Sequence, residues 1–228
     1  AALGGEAVAD ANAVGTPETA QAIVSAAIAA FGQVDILVNN AGGNITTGVE
    51  ALDDERAQAV FDSNFTGGWM LLRKCWPHMR EQEFGRIVNV MSGSMLGLPG
   101  RAVYASAKAA YLGLTTVAAA EGEPYDIGVN GVWPTAQTRL MDGIDDPAMI
   151  EHMKGFPPHL VAEAIAWFCS PQCKATGEFY DVGGGSVARI VFARGAGFSD
   201  PALTAESLAA NFEAARDMGN SRLMQGGA

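Results

Sequence analysis

The sequence has few basic residues and no long apolar run, and each shortage excludes a class of protein. Its 228 residues include only 14 Lys and Arg against 25 Asp and Glu, which gives a formal net charge of -11. The chain therefore lacks the basic surface that nucleic-acid binding normally needs. No apolar stretch reaches the roughly 18 residues of a membrane-spanning helix. We expect neither nucleic acid nor a membrane among its partners.

Cysteine is also scarce, and the sequence starts without a targeting pattern. The N-terminal "AALGGEAVAD" lacks the basic-then-apolar layout of a secretion signal, so a cytoplasmic location is predicted. Cys75, Cys169 and Cys173 are an odd number, which argues against a disulfide framework. The motif "CSPQC" has no second pair of ligands, so we interpret Cys169 as a buried apolar residue and predict no metal site.

What the sequence does contain is a regular alternation of two kinds of segment. Short runs rich in Val and Ile alternate with helical stretches, which is typical of an α/β fold whose parallel sheet is covered by helices. The first helix is bounded by Thr16 as N-cap, Pro17 in its first turn and Gly32 as its stop. We predict strands at 6–11, in the first half of "VDILVNNAGG", at 85–92, at 126–133 and in "GEFYDVGGG", and helices at about 52–62, 64–82, 157–169 and 204–216.

The composition and this order of segments predict one domain. With 49% hydrophobic residues, the chain can bury a sizeable core. We predict a single domain over residues 1–228, with 186–228 as a C-terminal extension. In open α/β sheets the ligand lies at the carboxyl ends of the strands, so the loops of interest begin at Asn39, Met91 and Trp133.

The stretch "VYASAKAAY" (103–111) places two unusual side chains on one helix face. Tyr104 and Lys108 are four positions apart, which is close to one helical turn. A free tyrosine, with a pKa of about 10, is a poor acid or base at neutral pH, but a neighbouring ammonium stabilises the phenolate. The alternative is a half-buried core tyrosine beside a surface lysine, which is the usual meaning of this spacing.

Several motifs together decide between these alternatives. "NNAG" at 39–42, Asn64 followed by Gly67, "GRIVNVMS" at 85–92, "YASAK" at 104–108 and the turn at Pro134 occur in one order. In order and spacing, the stretch from Asp10 to Gly185 resembles the short-chain dehydrogenase/reductase family. The resemblance implies a Rossmann-type doubly wound parallel sheet. It also implies hydride transfer between NAD or NADP and an alcohol or carbonyl substrate.

The resemblance assigns the catalytic roles residue by residue. Tyr104 resembles the general acid/base of the substrate oxygen, and Lys108 the lysine that activates it and holds the nicotinamide ribose. Asn64 matches the helix-kinking asparagine whose backbone carbonyl holds a water of the proton relay. Counting from "GRIV" selects Ser92 as the catalytic serine, whereas the "SxxG" pattern selects Ser94. We favour Ser92, although the interval to Tyr104 is one residue shorter than usual.

The same resemblance implies the cofactor contacts. Asp10 matches the acidic residue that meets adenine. Asn40, Ala41 and Gly42 match the backbone that lines the adenosine ribose. After the sixth family strand, "PTAQT" replaces the usual Pro-Gly and Thr. Pro134 and Thr138 are therefore the candidates beside the carboxamide.

One family feature is absent from the 228 residues. Family members open with a strand, a "TGxxxGxG" turn and a helix that bind the pyrophosphate. Relative to them, the first two strand–helix units, on the order of 60 residues, are missing. Three explanations would account for the missing units. We favour the first, in which the 228 residues are part of a longer enzyme. The others are a truncated protein that keeps some cofactor binding and a homologue that no longer binds the nucleotide. Without those units, the family's third and fourth strands must pair directly or the early segment must detach.

The sequence also resembles one branch of the family. "GGEAVADANAVGTPE" and the tail are similar to the hydroxyacyl-CoA dehydrogenase domains of peroxisomal multifunctional enzymes and to bacterial relatives in lipid and steroid catabolism. This implies a 3-hydroxyacyl-CoA, a hydroxysteroid or a similar apolar secondary alcohol as substrate. The alternative is a non-redox homologue, such as an isomerase, scaffold subunit or pseudoenzyme, that ignores nicotinamide.

The resemblance further implies a homo-oligomer, either a dimer or a tetramer. Its interface would be formed by the helices containing 64–82 and 103–121. Trp69, Leu72 and Trp76 recur at steps of three and four residues, which fits an interface stripe and a core-facing stripe equally well.

Overall fold

The computed structural model describes residues 4–139 and 145–224. The chain divides into two compact units, with the boundary between Arg189 and Ile190. The first unit contains every residue that the family motifs select.

A five-stranded sheet forms the centre of the first unit. Its strands lie in the order β1 (Ile36–Asn39), β2 (Gly85–Val90), β3 (Ile127–Thr135), β4 (Phe179–Gly183) and β5 (Ser186–Ile190). The first four strands run parallel to one another, as predicted. The carboxyl ends of these strands therefore meet at one edge of the sheet.

Helices cover both faces of this sheet. They are α1 (Pro17–Phe31), α2 (Asp54–Phe61), α3 (Gly67–Glu81), α4 (Ala102–Gly122), α5 (Pro147–Met153) and α6 (Pro158–Phe168). Ile87 and Val129 belong to a core cluster that includes residues of α1, α3 and α4. Val88 and Val132 belong to a second cluster that includes residues of α6. Because strand side chains alternate between faces, adjacent residues of β2 enter different cores. The predicted α/β class is confirmed.

Local signals set the bounds of α1. The Thr16 side chain accepts a hydrogen bond from the Thr19 amide, and Pro17 is the first helical residue. Gly32 ends the helix with a left-handed φ of +83° and donates its N–H to the Ile28 carbonyl. These interactions satisfy amide and carbonyl groups that the helix ends leave unpaired.

A π-helical turn at Asp62–Thr66 joins α2 to α3. The two predicted helices at about 52–62 and 64–82 are therefore one continuous helical rod with a wide turn in the middle. Asn64 lies in that turn and is buried. Wide turns of this kind are rare and frequently mark functional positions.

The predicted strand at 6–11 is wrong, because residues 5–13 have no regular secondary structure. The Asp10 carboxylate instead accepts hydrogen bonds from the backbone and side-chain amides of Asn12. A strand needs a neighbouring backbone, and this segment does not join the sheet. β1 is consequently an edge strand, with Ile36 46% and Val38 38% exposed.

β5 was not predicted as a strand. It follows β4 through Gly184 and Gly185, whose φ values of +57° and +82° give the left-handed two-residue turn typical of hairpins. Its residues Ser186–Arg189 are exposed, so they show none of the apolar alternation by which a strand is recognised in a sequence.

The second unit consists of short elements. β6 (Ala193–Arg194) pairs in antiparallel fashion with β7 (Arg222–Leu223), and α7 (Ala205–Ala210) is followed by α8 (Phe212–Arg216). The predicted helix at 204–216 is thus present but broken at Asn211. None of the residues described in this unit is fully buried. Across the described parts of the whole chain, no helix is long and apolar enough to cross a membrane.

Candidate active site

Tyr104 and Lys108 lie one turn apart at the start of α4, as their spacing predicts. The Lys108 ammonium is 5.9 Å from the centre of the Tyr104 ring and 5.8 Å from that of Tyr111. Its Nζ donates a hydrogen bond of 2.8 Å to the carbonyl of Val90, the last residue of β2. Lys108 is therefore fixed at the carboxyl end of a central strand rather than extended into solvent.

The Lys108 side chain is almost completely buried, at 3% exposure. Burial lowers its pKa from the ordinary 10.5 to about 8, because a low-dielectric environment disfavours the charged form. None of the ion pairs found among the described residues includes Lys108. Burying a charged lysine without an acidic partner costs free energy of folding. The alternative of an ordinary surface lysine does not fit this burial.

Asn64 fixes the loop that follows β1. Its Nδ2 donates to the carbonyls of Gly43 (2.7 Å) and Val60 (2.8 Å). A Cβ atom at Gly42 would lie 2.2 Å from Asn64 Oδ1, so only glycine fits there. That oxygen is buried and has no hydrogen-bond partner in the part of the chain that the structure describes. The side chain of Asn64 thus positions the predicted cofactor loop, a role that the backbone-based expectation did not include.

A second buried amide network, which the sequence reasoning missed, connects the strand ends to α4. Asn39 Nδ2 donates to Asn89 Oδ1 and Asn89 Nδ2 donates to Thr115 Oγ1, each across 2.9 Å. Asn39 Nδ2 also contacts the Gly68 carbonyl at 3.3 Å. The sequence signal for this network was an asparagine in each of two strands rich in Val and Ile, because a buried amide without a hydrogen-bond partner would be costly.

Ser92 and Ser94 are neighbours at the end of β2. The amide of Met91 donates to the Val132 carbonyl across 2.8 Å, which extends the sheet pairing to this point. Ser92 Oγ accepts a hydrogen bond from the Ser94 amide at 3.2 Å. The two hydroxyl oxygens are 2.9 Å apart. The short turn Gly93–Leu96 packs against α4, the helix that carries Tyr104.

A small apolar cavity of about 70 Å³, partly open to solvent, borders Tyr104. On one side, its wall is tied together by a hydrogen bond of 2.9 Å from the Thr47 amide to the Gly100 carbonyl. Among the residues that the structure describes, no charged side chain lines this cavity. The lining residues are Ile45, Thr47, Gly48, Val49, Leu52, Val60, Gly100, Ala102, Val103 and Tyr104.

The predicted cofactor residues differ in how they are placed relative to the site around Tyr104. Asn40, Ala41 and Gly42 are exposed in the loop that Asn64 contacts. Pro134 lies at the end of β3, where it pairs with Val182, and the exposed Thr138 follows in the next loop. The Asp10 carboxylate accepts hydrogen bonds from Asn12. These bonds do not connect Asp10 to the loop after β1.

The cysteines lie outside this region. Cys75, Cys169 and Cys173 are buried free thiols, and burial raises the pKa of Cys169 to about 11, with a smaller contribution from Cys173. Over residues 4–139 and 145–224, no three His, Cys, Asp or Glu side chains are grouped so that they could hold a metal ion.

Together, these residues form a site at the carboxyl ends of parallel strands. A phenol next to a buried ammonium can exchange a proton with a bound oxygen atom. A serine hydroxyl pair lies on the turn that packs against the same helix, and an apolar cavity adjoins the phenol. The arrangement suits acid–base chemistry on an alcohol or carbonyl group.

Comparison with known proteins identifies the family. Residues 1–145 match the family model described as short chain dehydrogenase. A short-chain type dehydrogenase/reductase of Mycobacterium tuberculosis is 34% identical over 223 residues, which are 96% of this chain and 77% of that protein. Peroxisomal multifunctional enzyme A of Dictyostelium discoideum is 35% identical over 212 residues, 92% of this chain and 47% of that protein.

The fold is also similar to the solved structure of another peroxisomal multifunctional enzyme. Full-length peroxisomal multifunctional enzyme type 2 of Drosophila melanogaster has a TM-score of 0.81 and 25% identity, covering 98% of this chain and 39% of that one. The chain thus spans less than half of these two multifunctional proteins. The predicted similarity to multifunctional enzymes is confirmed. The chain belongs to the short-chain dehydrogenase family, whose members are oxidoreductases.

Proposed function

We propose that this site interconverts a secondary alcohol and its ketone by hydride transfer with a nicotinamide cofactor. The burial of the Lys108 ammonium beside Tyr104, at the end of β2, is the observation that carries the proposal. An arbitrary tyrosine and lysine at this spacing would leave the lysine in solvent. Here the lysine is held where it can act on the phenol, despite the desolvation that this placement requires.

Each candidate residue has a distinct task in this proposal. Tyr104 gives a proton to the ketone oxygen in reduction and takes it from the alcohol in oxidation. Lys108 stabilises the phenolate by its charge, and Ser92 donates a hydrogen bond to the same substrate oxygen. Asn64 holds the loop after β1 in place and, through its backbone carbonyl, supports the proton relay. The negative charge that develops on the oxygen is thereby stabilised by groups that are already in position.

The residues present fit the nicotinamide and ribose portions of NAD or NADP. The backbone of Asn40, Ala41 and Gly42 is exposed, and the Asn64 side chain packs closely against Gly42 and so supports this backbone from behind. These residues would line the adenosine ribose, and Lys108 would bind the nicotinamide ribose. Pro134 and Thr138 would contact the carboxamide, and Asp10 the adenine. When bound, the nicotinamide ring accepts or supplies the hydride.

The substrate proposed is an apolar secondary alcohol, such as a 3-hydroxyacyl-CoA or a hydroxysteroid. The cavity beside Tyr104 supports this class, because its lining, as far as residues 4–139 and 145–224 form it, contains Ile45, Val49 and Leu52 but no charged group. An alkyl substituent placed there would be removed from water at little polar cost. The acyl-CoA member of the class is favoured by the resemblance of the sequence to hydroxyacyl-CoA dehydrogenase domains. The cytoplasmic location stays a prediction, since the multifunctional relatives are named peroxisomal.

The test is a substrate survey with the full-length natural protein. Consumption of NADH and NADPH is followed with a 3-oxoacyl-CoA, a 17-ketosteroid and, as the hydrophilic control, fructose. We expect turnover of at least one apolar ketone and none of fructose. Cofactor binding without turnover of any ketone would contradict the redox proposal, and preference for fructose would contradict the substrate class.

A further inference from the structure

The serine pair Ser92 and Ser94 has a hydrogen-bond geometry that determines where the Ser92 proton can point. Ser92 Oγ already accepts the Ser94 N–H at 3.2 Å, which uses one of its two lone pairs. The Ser94 hydroxyl oxygen is a further neighbour at 2.9 Å, and either hydroxyl can be the donor in that contact. Depending on which hydroxyl donates, Ser92 can offer a ligand either a lone pair or its proton.

If Ser92 donates to Ser94, its proton is used and only a lone pair remains for the ligand. If Ser94 donates to Ser92, both lone pairs of Ser92 are used and its proton is left free. A ketone oxygen offers only lone pairs. An alcohol oxygen that shares its proton with Tyr104 also turns a lone pair toward Ser92. Only the second direction therefore gives an attractive contact in both redox states.

We propose that Ser94 is a positioning residue that donates its hydroxyl proton to Ser92 and so turns the Ser92 hydroxyl into a dedicated donor for the substrate oxygen. This inference rests on the proposed function for its effect on turnover, but not for the direction of the hydrogen bond. Two donors on Ser92 Oγ also polarise its O–H bond, which makes it a stronger donor as negative charge develops on the substrate.

The fold holds Ser94 in place for this role. Its carbonyl accepts hydrogen bonds from the amides of Gly97 (3.2 Å) and Leu98 (3.1 Å), which close the turn behind it. Gly97 has a φ of +110°, a left-handed conformation that few residues other than glycine adopt. Ser94 is partly buried, and its position depends on backbone contacts rather than on the ligand. Such preorganisation is what a positioning residue needs.

A set of substitutions in the full-length protein tests the effect on catalysis, with the best ketone of the substrate survey. Ser94→Ala should lower kcat about tenfold and leave KM within about twofold, because one transition-state hydrogen bond is weakened. Ser94→Thr keeps the hydroxyl and should recover most of the loss. Ser106→Ala, an exposed serine of α4, is the matched control and should have no effect.

The double substitution separates positioning from a merely structural role. If Ser94 acts through Ser92, then Ser92→Ala combined with Ser94→Ala should be no slower than Ser92→Ala alone. Additive losses would overturn the proposal, as would a Ser94→Ala enzyme within twofold of the parent. A Ser94→Ala variant that unfolds is replaced by the Ser94→Thr and Ser94→Cys pair, of which only threonine should preserve kcat.

Neutron diffraction from deuterium-exchanged crystals gives an answer that does not depend on activity. The deuteron between the two hydroxyl oxygens should be bonded to Ser94 Oγ, and that of Ser92 should point away from Ser94. A Ser92 deuteron directed at Ser94 would overturn the inference. Absence of ketone turnover by the parent enzyme would instead count against the proposed function, and the deuteron positions would still decide the direction of the pair.

Discussion

The Lys108 ammonium donates a 2.8 Å hydrogen bond to the carbonyl of Val90. This contact joins α4 to the last residue of β2, immediately before the turn that carries Ser92. A single interaction therefore fixes the lysine relative to both the tyrosine on its own helix and the serine that follows the adjoining strand. The site depends on the sheet edge as much as on the helix that supplies its phenol.

Tyr104→Phe should lower kcat by about 10² or more, because it removes the proton donor but only one hydroxyl group from the fold. The thermal unfolding midpoint should change little. Tyr125→Phe, which makes the same chemical change away from the site, is the control. Steady-state kinetics that show Tyr104→Phe within threefold of the parent would contradict the assignment.

Lys108→Met should impair cofactor binding and catalysis together, since it removes both the charge beside Tyr104 and the proposed contact with the nicotinamide ribose. Titration of NADH fluorescence and the measurement of kcat would check the two effects. A variant with parental NADH affinity would show that Lys108 does not hold the ribose, whatever its kcat.

The lowered pKa of Lys108 predicts how stability changes with pH. Below about 8 the lysine is charged in both states and its burial penalises the folded state. Between about 8 and 10.5 the folded protein has lost that proton while the unfolded chain keeps it, so the free energy of unfolding should rise with pH. Relative to Lys108→Met, the rise should be about 3 kcal/mol, since one pKa unit corresponds to about 1.4 kcal/mol. Urea unfolding of both proteins at pH 7.5, 9 and 10.5 would test this, and a difference independent of pH would contradict it.

Gly42→Ala should destabilise the loop after β1, because the added Cβ would lie 2.2 Å from Asn64 Oδ1. Overpacking of this kind costs roughly 1–3 kcal/mol. Gly43→Ala is a close control, since nothing lies within 4 Å of a Cβ at that position. Thermal unfolding and NADH titration of both variants would check the prediction. Equal behaviour of the two would show that the contact between Asn64 and Gly42 is unimportant.

The predicted homo-oligomer can be tested through the surface of α3. Leu72 is buried and Trp76 packs against the core, so these two positions of the stripe face inward. Trp69 remains 39% exposed and stacks with Arg73, which makes it the one member of the stripe available to a partner. Trp69→Glu should reduce the mass measured by light scattering, whereas Trp167→Glu on α6 should not. A parent protein that is monomeric at micromolar concentration would contradict the predicted interface.

The sequence alone determined the features that depend on neighbours along the chain. Thr16, Pro17 and Gly32 specify the ends of α1 because capping groups act within one helical turn. Tyr104 and Lys108 share a helix face because four residues complete about one turn. The strands β2 and β3 were recognisable because both of their faces are buried, which favours short runs rich in Val and Ile.

Only the tertiary structure decided the features that depend on partners distant in the chain. Residues 6–11 have a strand-like composition but remain irregular, because a strand forms only where another backbone pairs with it. The contact of Asn64 with Gly42 and Gly43 joins residues about twenty positions apart, and the Asn39–Asn89–Thr115 network spans still more. Lys108 illustrates both levels: the spacing of residues placed it beside Tyr104, whereas the packing of α4 on the end of β2 buried its charge.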